Sequence, residues 1–372
     1  MLNRKLTAAA AALILICSAC EDEGPRRSVD RPSLGTKQPA LKLEKKSDRL
    51  VYGDTIMLAV VPEDGDLTFA KVRISLADER GSFLAVSDDS VDLTEKASFA
   101  LPTALTGGGE VKLRVDAEFN DGQKSMRYQN FTVTAESEPQ QWNFETVRKY
   151  PHDKSSFTQG LLFHNGFLYE GTGNLGESRI RKIDLTTGNV EMEKANKSDV
   201  FGEGITVFRD KLYQLTYKNG RGFVYNLGDF EKIDEFTYNT YTGEGWGLTH
   251  NDTSLIASDG SAYLHFIDPE TLEEERRIRV FDHRGNVNRL NELEYREGII
   301  YANLYTSFEM VAIDATTGRV LHRYNARDVL KRADMTTGMD VLNGIAVNPL
   351  NGNLLITGKY WQYLYEVKPT VK

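Results

Sequence analysis

The chain has almost no cysteine. Two occur in 372 residues, Cys17 and Cys20, and both lie close to the start. No disulfide can therefore cross-link the remainder, so packing must stabilise it. Histidine is scarce as well: the six lie at 152, 164, 250, 265, 283 and 322, without the close spacing of metal ligands. No Gly-x-Ser-x-Gly elbow and no phosphate loop occurs. Gly171-Thr172-Gly173-Asn174-Leu175-Gly176 has the outline of a dinucleotide fingerprint. It sits among hairpin signals with no helical pattern after it, which argues against that reading. A net charge of −9 disfavours nucleic acid as a partner. Beyond the first 20 residues no apolar run approaches membrane-spanning length.

Residues 1–20 read as an export signal rather than as fold. Arg4 and Lys5 precede an apolar run from Leu6 to Ile16, and Ser18 and Ala19 put small residues before Cys20. The run is short for a bilayer helix, and the small residues suit cleavage. The pattern resembles a bacterial lipoprotein signal, with Cys17 standing where leucine is usual; the plainer alternative is an ordinary cleaved signal. The resemblance implies a lipid on Cys20 and an exported protein anchored to the bacterial cell envelope, at the outer membrane or the cell surface. Residues 21–45, with Glu21-Asp22-Glu23 and with Pro25, Pro32 and Pro39, are expected to form a flexible tether.

Residues 46–135 alternate with period two. Val111, Leu113, Val115, Ala117 and Phe119 interleave with Lys112, Arg114, Asp116 and Glu118, and Val72, Ile74 and Leu76 with Arg73 and Ser75. Such alternation puts one face of a strand in a core and the other in water. Turn signals separate the runs, as in Thr106-Gly107-Gly108-Gly109 and Asn120-Asp121-Gly122. About seven short strands in this span predict a small immunoglobulin-like β-sandwich. It carries no catalytic constellation and reads as a spacer.

From about Gln141 the chain repeats itself. Phe157-Thr158-Gln159-Gly160-Leu161, Phe201-Gly202-Glu203-Gly204-Ile205, Gly245-Trp246-Gly247-Leu248, Leu290-Asn291-Glu292-Leu293 and Leu342-Asn343-Gly344-Ile345 align at Gly160, Gly204, Gly247, Glu292 and Gly344, with steps of 44, 43, 45 and 52 residues. Each motif opens a series of strands and turns, and pieces such as Ile183-Asp184-Leu185-Thr186-Thr187-Gly188 and Ile313-Asp314-Ala315-Thr316-Thr317-Gly318 read as the hairpins between the last two strands of a unit. Four strands in about 45 residues make one propeller blade. The expected fold is thus all-β: a five-bladed β-propeller over residues 141–372, behind the sandwich. The fifth repeat stops at Leu364-Tyr365-Glu366-Val367, one strand short, while an orphan strand, Asn143 to Tyr150, precedes the first motif. The orphan is expected to supply the missing outer strand, which would close the ring and remove an open sheet edge. Asp328 to Arg332, in the longest step, is expected to form a short surface helix.

Equivalent positions of the innermost strands converge on the axis. Just before the aligned position stand Gln159, Glu203, Trp246, Asn291 and Asn343. Taken singly, each is more often a turn, core or surface residue. As a set in register they mark the axis mouth as a candidate site, and the neighbouring glycines are expected to leave that mouth open.

These motifs, with Thr357-Gly358-Lys359, resemble the glutaminyl-peptide cyclotransferases of the plant and bacterial propeller type, over about Tyr150 to Val367. The resemblance implies cyclisation of an N-terminal glutamine to pyroglutamate with loss of ammonia, without a metal or other cofactor, on peptides or proteins that begin with glutamine. It places the catalytic acid at Glu203, the only acid among the five aligned positions, and a lysine partner at Lys359. Asn291, Gln159 and Asn343 then offer amides for the γ-carbonyl and the peptide backbone, with Asn291 counted among the catalytic residues. Trp246 walls the pocket. Tyr305 stands where the family carries a second tryptophan, and Phe157 completes the lining. Two other readings stay open on the residues alone: a calcium-dependent propeller hydrolase of the lactonase type, with Glu203, Asn291 and Asn343 as oxygen ligands, and a non-enzymatic propeller that presents a binding surface. The protein is expected to act as a monomer.

Overall fold

A computed structural model describes residues 40–77, 83–89, 95–218 and 220–371. The expected signal at 1–20, Cys20, and the tether up to residue 39 lie outside the described residues. Apart from a one-turn helix, Thr103–Thr106, and a 3-10 turn, Arg332–Asp334, the regular structure described is β.

The N-terminal part is a two-sheet sandwich. One sheet runs Leu41–Lys45, Thr55–Pro62, Ala97–Pro102; the other runs Arg49–Val51, Lys124–Thr134, Gly109–Phe119, Phe69–Ala77, Phe83–Asp89. Period-two alternation decides which side chains meet between them. Leu58, Val60 and Phe99 from the first sheet pack on Val72, Ile74, Leu113, Val115 and Phe131 from the second. Residues 41–45, expected in the tether, belong to the sandwich instead. Leu41–Lys45 pairs antiparallel with Thr55–Pro62, and Leu41 is buried in this core. Leu41 and Leu43 alternate with Lys42 and Glu44, a pattern too brief to stand out beside the polar stretch before it.

The second part is a propeller. Three antiparallel sheets of four strands follow in order along residues 158–195, 202–237 and 248–279. An eight-stranded sheet then joins two further four-stranded units. Among the described residues the inner strands are Thr158–His164, Gly202–Phe208, Leu248–His250, Leu290–Arg296 and Leu342–Val347. Each lies beside the next, and the last lies beside the first, so the ring closes. Aspartate side chains shape the hairpins before the outer strands: Asp184 and Asp314 each accept the backbone N–H of the threonine three residues on, Thr187 and Thr317, at 2.8 Å.

Closure follows the orphan strand, as expected. Gln140–Pro151 pairs antiparallel with Tyr363–Val371 and becomes the outer strand of the last unit. Its first residues also pair in parallel with His322–Asn325, the outer strand of the unit before. One segment thus ties the start of the propeller to its last strand and joins two neighbouring blades. Phe144 on it stacks on Tyr324 with centroids 5.2 Å apart and planes 9° apart. The helix expected at Asp328–Arg332 does not form: turns lead into the 3-10 turn. Val329 and Leu330 are both buried, and two adjacent residues drawn into one core do not suit a surface helix.

Sandwich and propeller belong to one compact unit, Gln38–Lys372. The contact is made through a hairpin, Phe281–Asp282 with Gly285–Asn286. Ala135 donates its N–H to the Asp282 carbonyl (3.0 Å), Glu110 donates its N–H to Asn286 Oδ1 (2.9 Å), and Tyr52 packs on Phe281.

The closing strand should carry much of the propeller's stability. Phe144→Ala should cost about 3 kcal/mol, as buried Phe→Ala changes do, and lower the melting temperature by roughly 6–12 °C. Calorimetry checks this; a shift below about 2 °C would mean that the strand is not part of the cooperative fold.

Candidate active site

The inner strands begin irregularly, and this builds the site. Register shifts occur between Thr158 and Gly160, Gly202 and Ile205, Leu290 and Leu293, and Leu342 and Ile345. Each is a β-bulge, which breaks the alternation and re-aims side chains. Gln159, Glu203, Asn291 and Asn343 sit in these four bulges. In the third unit the inner strand starts only at Leu248, so Trp246 is carried by the loop before it.

The aligned glycines serve close packing rather than an open mouth. A Cβ on Gly160 would meet the backbone nitrogen of Ile205, one on Gly204 that of Leu248, and one on Gly247 the carbonyl oxygen of Asn291. In the fourth unit the same position is Glu292, which is fully buried. Its carboxylate accepts N–H groups from two neighbouring inner strands, Leu161 at 3.0 Å and Ile345 at 2.7 Å.

Above this level lies a cavity of about 170 Å³. Ligand pockets for drug-sized molecules run to roughly 300–1,000 Å³, so this one suits a single residue. Phe157, Gln159, Phe201, Glu203, Tyr217, Trp246, Asn291, Tyr305 and Lys359 line it. Seven of the eight residues expected for catalysis or substrate binding are therefore together. The eighth, Asn343, is not in the lining. It stands behind Gln159 and donates Nδ2 to the Thr158 carbonyl and to Gln159 Oε1, both at 3.0 Å. Phe201 and Tyr217 were not foreseen. Phe201 precedes Glu203 by two residues, as Phe157 precedes Gln159, so the motif itself carried the signal. Tyr217, Tyr305 and Lys359 each follow directly on the second strand of a unit: Lys211–Thr216, Ile299–Leu304 and Leu354–Gly358. Seven of the nine lining residues thus come from two rings of equivalent positions, and Phe157 and Phe201 stand two residues before the first ring.

Hydrogen bonds set the orientation of the acid. The Thr158 carbonyl can only accept, so Asn343 must present its NH₂ group there, and Gln159 Oε1 must accept from the same group. The Gln159 amide nitrogen is then left to donate to Glu203 Oε1, at 3.0 Å. Thr158 is itself held from below: its hydroxyl donates to Glu170, a buried carboxylate that also binds Ser156 and His152. His152 faces acceptors on both ring nitrogens, the Trp361 carbonyl and Glu170, which favours the doubly protonated imidazolium.

Glu203 is 3% exposed and Lys359 4%. Burial pushes the Glu203 carboxyl well above the usual carboxylate range; the Lys359 charge opposes this and the Glu244 charge adds to it. Burial lowers the Lys359 ammonium, with Glu203 and Asp340 opposing. The ammonium lies 4.3 Å from the Phe157 ring centroid and 5.4 Å from that of Tyr305, so two aromatic faces replace part of its hydration. Trp246 meets Tyr305 edge to face at 5.2 Å and donates its indole N–H to Glu244 at 3.0 Å. Its ring packs on Gly260, where φ is +80° and a Cβ would come within 2.7 Å.

A family model described as glutamine cyclotransferase matches residues 123–369, well over half of the chain. The chain belongs to the glutamine cyclotransferase family. The glutaminyl-peptide cyclotransferase of Arabidopsis thaliana is 37% identical to it over 229 residues, 60% of this chain and 70% of that protein. The crystal structure of the Myxococcus xanthus glutaminyl cyclase is 34% identical, with a TM-score of 0.58, and the match covers 63% of this chain and 100% of that one. The matched stretch holds every cavity residue. It begins at 123, beside the last sandwich strand, Lys124–Thr134. Among the described residues no group of three or more His, Cys, Asp or Glu side chains gathers as metal ligands would.

The Lys359 charge favours ionised Glu203, so its removal should raise the Glu203 midpoint further. In Lys359→Met, carbon-13 NMR of the glutamate carboxyls should show Glu203 titrating at higher pH than in the parent protein. A midpoint that stays put or falls would show that the two groups are not coupled.

Proposed function

We infer that the protein is a glutaminyl-peptide cyclotransferase in which Glu203 carries the proton and no metal takes part. The observation that carries this reading is a single buried carboxyl of raised basicity, facing a one-residue cavity beside a buried ammonium, in a chain of this family. An N-terminal glutamine would place its side chain in the cavity. Its α-amine attacks the γ-carboxamide carbon, a C–N bond closes the five-membered ring, and the carbonyl oxygen gains negative charge. The C–NH₂ bond then breaks and ammonia leaves. The amine must lose a proton and the departing nitrogen must gain one, so one carboxylate near both can carry it across. Ring closure within one molecule already supplies the proximity.

The other residues take roles from their positions. Lys359 and Asn291 stabilise the oxyanion. Gln159 holds the Glu203 carboxylate in register, and Asn343 positions Gln159 rather than touching substrate. Trp246, Tyr305, Phe157, Phe201 and Tyr217 wall the cavity against water. The raised pKa suits a base, because a more basic carboxylate takes the proton more readily. The active form is ionised Glu203, so turnover should fall as pH drops through its midpoint. One carboxylate next to a lysine makes a poor cradle for a calcium ion, and Asn343 points elsewhere.

Ammonia release from a short glutamine-initiated peptide tests this. Release should persist with a chelator and drop at least about 100-fold in Glu203→Gln, as loss of a general base does. Release that needs a divalent ion would make Glu203 a ligand instead.

We further propose that the chain is exported and lipid-anchored through Cys20, acts as a monomer, and uses its sandwich as an immunoglobulin-like spacer. The signal pattern supports the anchor. Metabolic labelling with a fatty acid should mark the protein and not its Cys20→Ser variant; label retained in Cys20→Ser would refute the anchor.

A further inference from the structure

A second, larger cleft of about 430 Å³ lies next to the first. Phe201 and Tyr217 line both, with ring centroids 5.6 Å apart, so they form an aromatic partition between them. Val200 and Phe223 add apolar surface on the far side of the partition, and Leu175, 64% exposed, stands at the rim. The cations of the cleft are already matched. Arg221 pairs with Glu235 at 2.8 Å, and Lys218 lies 3.8 Å from Glu244 and over the Tyr217 ring. Exposed Asp199 is a further acid there, so the cleft has no surplus positive charge for an acidic group.

We propose that this cleft is the subsite for the residue after the N-terminal glutamine, and that it takes an apolar or aromatic side chain. The inference rests on the cyclotransferase reading of the first cavity. Successive Cα atoms stand 3.80 Å apart, so a peptide whose glutamine fills the first cavity has its second residue within reach of the partition. The first cavity has no room for that residue; the cleft has room for a leucine or phenylalanine. Burial of such a side chain there would stabilise the bound peptide and its transition state together, because the group is remote from the bonds that change.

The test is kcat/KM from ammonia release, with glutaminamide and with the dipeptide amides Gln-Gly, Gln-Leu, Gln-Phe and Gln-Glu as probes. Gln-Leu and Gln-Phe should exceed Gln-Gly by about tenfold, the usual effect of filling an apolar pocket, and Gln-Glu should show no such gain. Leu175→Asp alters the exposed rim only. It should bring the Leu and Phe advantage down to about twofold or less and leave glutaminamide turnover unchanged. Equal values for Gly, Leu and Phe, or a preference that survives Leu175→Asp, would overturn the subsite alone. No turnover of any probe by the parent protein would overturn the cyclotransferase reading and the subsite with it.

Discussion

The inner strands of the propeller approach one another at the axis until backbone touches backbone. At Gly160, Gly204 and Gly247 there is no space for a Cβ. Three consequences follow from that packing. The strands must bulge to reach it, which throws the preceding side chains toward the mouth. The level below the cavity is sealed. The one position that does carry a side chain, Glu292, spans the gap and ties two other strands by their amides. A device that serves closure of the ring therefore also aims Gln159, Glu203 and Asn291 at a common point.

A carboxyl at such a point is held away from water, and its basicity rises for that reason. Isolation alone would favour its protonated, idle form. Lys359 moderates the effect, and the Asn343 to Gln159 relay gives the ionised form a hydrogen bond. The balance is between two buried groups of opposite charge, each of which the burial would rather see neutral. An arrangement of that kind can pass a proton with little rearrangement, which suits the proton transfer proposed for Glu203.

Much of this was legible in the sequence because repeats turn position along the chain into position around a ring. The 44-residue rhythm gave the blades, the missing strand and the inner ring of site residues. What escaped had identifiable causes. Tyr217 belongs to a ring that follows the second strands, where no motif recurs: the equivalents are Gly173, Tyr217, Asp259, Tyr305 and Lys359. Asn343 shares the register of the site but not its exposure to the cavity; its neighbour Gly344 adopts φ +128°, and its amide is taken by Thr158 and Gln159. The aligned glycines looked like room for a ligand, since a sequence shows a missing side chain without showing what fills the space. Val329 and Leu330 looked helical because burial of two neighbours in one core depends on strands far away in the chain.

The walls of the cavity are held by contacts that an aromatic of either kind can make. Tyr305, where the resemblance implies a second tryptophan, makes an edge contact with Trp246 and lends a ring to the Lys359 ammonium. Those contacts need a π-face at that position more than they need an indole. What a smaller ring gives up is area over the substrate. Phe201 and Tyr217 stand on the other side of the cavity and face outward as well as inward. The acid, the lysine and the amides can therefore stay constant while the aromatic walls vary, so that under the proposed function the chemistry would reside in Glu203, Lys359, Gln159 and Asn291 and selectivity in the rings around them.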